Sequence, residues 1–294
     1  MSFTRDELRH CLHSAVAAST LAGDVVMNHY GPSVQVGSKG RTDSEEGDVV
    51  TRADREAQSV VIDWLSGVYS DRIGLLSEED GLDRDLSRFS KEAFWCVDPL
   101  DGTFQFLRRN NSFSVNIGLV SAEGEALLGV VYAPALRTLI HGIPGVGAWV
   151  QDVPVDLGAS ARGDVHVVFH YRDALPVARN QTLNRIFQSL ERMPAVSGVK
   201  PVPAESAPMH IRYMQKWSPW VVLTYPSPEG GASLWDVAAQ SAVVQAAGGW
   251  VGNLDGEPLD LNPPDTTFIQ QKGLLFCSHA ELADVVVNAF HQET

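Results

Sequence analysis

A chain of 294 residues that is 44% hydrophobic can bury a full core, as one large domain or two smaller ones. Its formal net charge of −14 leaves no basic stripe to displace counterions, which argues against a nucleic-acid polymer as partner. It still permits a small phosphorylated molecule held through cations.

In chain order, the N-terminal MSFTRDELRH lacks the apolar centre of a signal peptide, and no later run approaches the length of a membrane span. The three cysteines, Cys11, Cys96 and Cys277, are odd in number and far apart, so they read as buried apolar side chains of a reducing compartment. A soluble, cytoplasmic protein is expected, as monomer or homodimer. Thr4 and Glu7 form a capping box before an apolar stripe (Leu8, Leu12, Ala15, Ala22, Val25, Val26), predicting a long amphipathic helix up to Gly31-Pro32. Residues 33–47 are polar and glycine-rich, as in a surface loop or flap. Thr51 and Asp54 are expected to open a second helix, with Asp54 in the first turn, where a carboxylate suits the helix dipole. Ile73 to Leu76 reads as a short strand delivering Ser77-Glu78-Glu79-Asp80 at its carboxyl end. Glu79 and Asp80 read as solvated or as supporting the site from outside.

Phe94 to Val97 reads as a strand buried on both faces, stopped at Asp98 because Pro99 holds its predecessor extended. Leu100-Asp101-Gly102 makes a tight turn, and Thr103 is expected to cap a short helix over 104–109. Residues 114–120, 126–132 and 138–143 read as an antiparallel meander. The glycine-rich turn 142–147 is not a nucleotide loop, because no helix follows it. Composition changes over 151–164, which places a domain junction there, with units 1–158 and 159–294. The second half reads as a strand at 165–169, a helix at 180–193, a strand at 220–225 and a helix at 234–247 opening with Trp235 and Asp236. A last strand at 274–276 and a helix capped by Ser278 and Glu281 follow. The pairs His10/His13 and His166/His170 lack the companions of a transition-metal site, and no serine or cysteine sits in a nucleophile elbow.

The stretch Asp98-Pro-Leu-Asp101-Gly102-Thr103 carries the chemistry. Two carboxylates three residues apart on a strand-to-helix corner suit a hard divalent cation, and the helix end suits a phosphate. Taken alone, the same residues also fit an ordinary polar turn. Together with Asp48-Val-Val-Thr-Arg-Ala-Asp54, Leu76-Ser-Glu-Glu79 and Leu234-Trp-Asp-Val-Ala-Ala239, the chain resembles the inositol monophosphatase superfamily of Mg-dependent, Li-sensitive phosphatases. Residues 98–149 look most like its 3'(2'),5'-bisphosphate nucleotidase branch.

The resemblance implies an α/β protein, a layered αβαβα sandwich of the inositol monophosphatase/fructose-1,6-bisphosphatase type, α+β in its first half and α/β in its second. It implies that Glu78, Asp98, Asp101, Asp236 and the Leu100 carbonyl hold Mg²⁺, with Asp98 bridging two ions. Independently, four buried carboxylates carry about −4, which two Mg²⁺ cancel; adding Asp54 and a third ion leaves about +1 to receive a phosphate. By the same resemblance, Asp54 and Thr103 orient the attacking metal-activated water and take its proton, and Gly102, Thr103 and Asp236 bind substrate. The expected reaction is removal of the 3'-phosphate of 3'-phosphoadenosine 5'-phosphate. Residues 203–220 depart from the nucleotidase pattern, so an inositol or other sugar phosphate is the alternative, and a non-catalytic binding member a further one. Arg108, Arg109, Arg212 and Lys216 are candidates for a second phosphate.

Overall fold

A computed structural model describes residues 3–31, 45–80, 86–157, 160–170, 180–204, 218–228 and 230–292. Arg212 and Lys216, with most of 203–220, lie outside the described residues, as does most of the expected flap.

Two sheets and six helices stack in five layers. The outer layer pairs α1 (Arg5–His29) with α2 (Glu45–Leu65). Both lie on a seven-stranded sheet made of β1 (Ile73–Ser77), β2 (Ala93–Asp101), β3 (Ser114–Ser121), β4 (Ala126–Ala133), β5 (Thr138–Ile143), β6 (Gly147–Val150) and β7 (Val153–Val155), in sequence order. The five-residue α3 (Thr103–Leu107) follows β2 directly. The second sheet runs β11 (Trp250–Gly252), β12 (Leu274–Cys277), β10 (Trp220–Thr224), β8 (Gly163–His170), β9 (Val196–Ala204). Helices α4 (Gln181–Glu191) and α6 (Ala280–His291) cover its far face, and α5 (Leu234–Ala246) lies between the sheets. The order is αβαβα.

Helix α5 is buried nearly all round, as a middle layer must be: Leu234, Val237, Ala238, Ala239, Ala242, Val243 and Val244 are all buried. It sits close because Gly118, Gly129 and Gly142 face one another across β3, β4 and β5, forming a trough without side chains. A Cβ at Gly118 would come within 3.0 Å of the Ala239 nitrogen, one at Gly142 within 2.7 Å of the Ala246 methyl, and one at Gly129 would meet the Ala239 carbonyl.

Several elements differ from the sequence expectation. Strand β2 continues through Pro99 to Asp101. Asp98 pairs with Asn116 and Asp101 with Ser114, so β2 carries one residue more than β3 over this stretch. That is a bulge, which accommodates the missing proline N–H without ending the strand. Helix α2 begins at Glu45, so Asp54 lies in its interior and gains nothing from the helix N-terminus. Gly102, at φ 90°, is the residue before α3, and Thr103 is its first helical residue. His279, not Ser278, precedes α6; Glu281 instead accepts from Ala161 N at 2.5 Å. Strand β9 went unread because it holds Pro201 and Pro203, which an edge strand tolerates. The short β7 and β11 carry too few residues for a pattern.

Candidate active site

The bulge in β2 sets the site. It turns both Asp98 and Asp101 inward, 1% and 8% exposed, while the capping turn of α5 presents Asp236 to them. One carboxylate oxygen from each of Asp98, Asp101 and Asp236 lies within 4.8 Å of the other two. Among the described residues this is the one cluster with such geometry.

Each carboxylate is held. Asp98 Oδ1 accepts from Leu100 N at 3.0 Å, and Asp101 Oδ2 from Asn116 Nδ2 at 2.7 Å. Asp236 Oδ2 accepts from Ser233 N at 2.6 Å, so this residue both caps α5 and faces the cluster. Asp98 is central, because Asp101, Glu78 and Asp236 all crowd it with like charge. Glu78, on the 3₁₀ turn after β1, thus reaches the cluster through Asp98 while standing outside the triangle itself.

Asp54 comes to the same region from α2. Its Oδ1 is buried with no hydrogen-bond partner. Four residues on, Gln58 accepts from the Ser77 hydroxyl and from Glu79 N at 3.2 Å, tying α2 to the turn that carries Glu78. Thr103 Oγ1 donates to the Leu100 carbonyl at 3.2 Å.

Electrostatics mark this region. Burial first, then neighbouring acids, pushes Asp54 up to about 8 and Glu78 up to about 7. Burial also lifts Asp98, Asp101 and Asp236 above the ordinary carboxylate range, with like charges adding to it at Asp98 and Asp101. No basic side chain among the described residues pairs with any of these five; the nearest ion pair, Arg55 to Glu79, is 3.9 Å long and on the surface. Asp54, Asp98 and Asp101 are buried and Glu78 and Asp236 partly so; such acids without counter-charge, one with an orphaned oxygen, fit divalent cations.

The arginines of 108–109 stand at the far end of α3 from Gly102. Arg108 stacks over Phe104 at 4.2 Å. Arg109 lies over Tyr30 and Phe106, with Nη1 buried and unpartnered.

Sequence reasoning missed Asn116, Ser114, Gln58 and Ser233. The first two left a signal. Ser114 and Asn116 are polar residues at alternate positions of a strand whose every residue is buried.

The family model for inositol monophosphatases matches residues 7–294. The chain belongs to the inositol monophosphatase family. It is accordingly a metal-dependent phosphomonoesterase, in a family that is Mg-dependent in general. Among curated relatives, a 3'(2'),5'-bisphosphate nucleotidase CysQ from Salmonella typhimurium is 31% identical over 249 residues, covering 83% of this chain and 91% of that protein. An inositol-1-monophosphatase from Synechocystis is 28% identical over 267 residues, covering 88% and 84%. Among solved structures, the inositol monophosphatase of Anabaena superposes with a TM-score of 0.68 at 23% identity, covering 98% of this chain and 97% of that one. That last likeness concerns the fold.

Proposed function

We propose that this member of the family removes the 3'-phosphate of 3'-phosphoadenosine 5'-phosphate, using two to three Mg²⁺ ions held by Glu78, Asp98, Asp101, Asp236 and the Leu100 carbonyl. The observation that carries the chemistry is the Asp98–Asp101–Asp236 triangle, two of its acids buried and one partly so, without counter-charge among the described residues. Asp98 would be the acid shared between ions, as the family resemblance implies; one of its oxygens lies within 4.8 Å of one from Asp101 and one from Asp236. When bound, the cations supply neutralising charge to the phosphoryl group and a water of lowered pKa.

The remaining work falls to the chain. Asp54, with one oxygen free, receives a proton from the attacking water. The Thr103 hydroxyl has given its hydrogen to Leu100 O, so towards water it acts as acceptor and orients the attack. The Thr103 N–H, beside Gly102 at the start of α3, faces the phosphate oxygens, and Asp236 borders the substrate.

Substrate choice rests on two supports: the resemblance of residues 98–149 and the 31% identity to the nucleotidase relative. Arg108, Arg109, Arg212 and Lys216 are the candidates for the second phosphate. Hydrolysis of an inositol or sugar monophosphate is the second reading, favoured by the longer alignment with the inositol-1-monophosphatase relative. Phosphate release from a panel of both substrates decides. The nucleotidase reading requires higher kcat/KM on the bisphosphate than on inositol 1-phosphate, and the reverse order hands the assignment to the second. Arg109→Gln should raise KM for the bisphosphate several-fold and leave the monophosphate almost unchanged.

A further inference from the structure

Each aspartate of the triangle has one oxygen committed to an N–H, but the donors differ in kind. Asp98 and Asp236 are held by the backbone at Leu100 and Ser233, whatever side chains stand there. Asp101 Oδ2 is held by a side chain, the amide of Asn116 at 2.7 Å. Asn116 and Ser114 are both 0% exposed. The Ser114 hydroxyl donates to Asn116 Oδ1 at 3.0 Å. An amide can present either its oxygen or its NH₂; the Asp101 carboxylate, which only accepts, takes the NH₂ and leaves the oxygen to the Ser114 hydroxyl.

The β2 bulge makes this arrangement. It sets Ser114 opposite Asp101 and leaves Asn116 opposite Asp98, so the amide reaches Asp101 along the strand. A carboxylate tied by a charge-assisted bond on one oxygen grips an ion through the other. Ca²⁺ takes six to eight oxygens and favours carboxylates that chelate with both; Mg²⁺ wants an octahedron of single oxygens.

We propose that Asn116, oriented by Ser114, is a positioning residue that restricts Asp101 to a one-oxygen grip and so makes the centre select Mg²⁺ over Ca²⁺. The inference rests on the metal-centre reading above. Neither residue touches the ion; both act through Asp101.

The test is calorimetric binding of Mg²⁺ and of Ca²⁺ to the full-length, EDTA-stripped protein without substrate. In Asn116→Leu, the Mg²⁺ affinity should fall about 10- to 100-fold while Ca²⁺ affinity falls less than about threefold, collapsing the ratio between them. Ser114→Ala should shift the ratio the same way by a smaller factor, about threefold or more, because the amide oxygen then loses the donor that anchors the Asn116 side chain. Equal losses for both ions, or an unchanged ratio, overturn the proposal. Should Asn116→Leu fail to fold, Ser114→Ala decides alone by the same ratio. Asp98→Ala separates the two readings. If the parent protein binds no Mg²⁺, the metal centre and this inference fall together. If the parent binds Mg²⁺, Asp98→Ala does not, and the ratio survives in the Asn116 and Ser114 variants, only this inference falls.

Discussion

At Asp101 the hydrogen bond from Asn116 favours the charged form, yet burial and Asp236 outweigh it and the carboxyl stays well above its usual pKa. Such a group waits for a cation. Asp101→Asn keeps the shape, removes one charge and turns one of its two oxygens into a donor. Turnover should fall by more than about a hundredfold with the fold retained and a raised Mg²⁺ requirement, read by steady-state kinetics against a circular dichroism control. The five acids also make a pH prediction for the metal-free protein. Their folded pKa values lie above the unfolded values near 4, so the folded state holds protons that the unfolded state has lost. Stability is then greatest on the acid side and declines as pH rises from about 4 to 8. Melting curves in EDTA should show that slope, and saturating Mg²⁺ should flatten it; a Tm rising with pH in EDTA would contradict it. The acids themselves were legible because Asp-Pro-x-Asp-Gly is compact in sequence. The donors that hold them were not, because pairing Asn116 with Asp101 depends on a strand register offset by a bulge.

Element by element, the period of apolar residues located α1, the meander and α5, while the ends went astray wherever a long-range contact overrode a local signal. Proline at 99 ended β2 on paper but only bulged it in the fold, because β3 continues to pair on the far side. The start of α2 is hard to read because Glu45-Glu46-Gly47-Asp48 is polar, carries a glycine and shows no apolar period. The glycines of β3, β4 and β5 lie far apart in sequence, and only the register lines them up as a seat for α5. Gly129→Ala should lift the helix off the sheet at Ala239, one turn from Asp236. Overpacking of this kind costs about 1–3 kcal/mol, measurable in urea, and Asp236 should move with it, raising the Mg²⁺ concentration for half-maximal activity. A variant that loses stability without any change in Mg²⁺ requirement would separate the seat from the site.

Across the whole molecule, the candidate ligands come from the turn after β1, from β2 and from α5, elements of both halves of the chain. Mg²⁺ should therefore raise the melting temperature by a few degrees through mass action, and Asp98→Ala should abolish most of that rise. Millimolar Li⁺ should inhibit turnover where K⁺ at equal ionic strength does not, as the family resemblance implies. The glycine trough also orders events in time. On the ribosome, β3, β4 and β5 leave the exit tunnel long before Leu234, since the chain from 144 to 233 must be made first. Throughout that interval the trough is an uncovered floor, lined by Val131 and Ile140 beside Asp98 and Asp101, with no helix to fill it and no Asp236 to complete the triangle. A nascent chain stalled in that window presents a sticky, half-charged face, and the arrival of α5 closes the core and the catalytic centre in a single act.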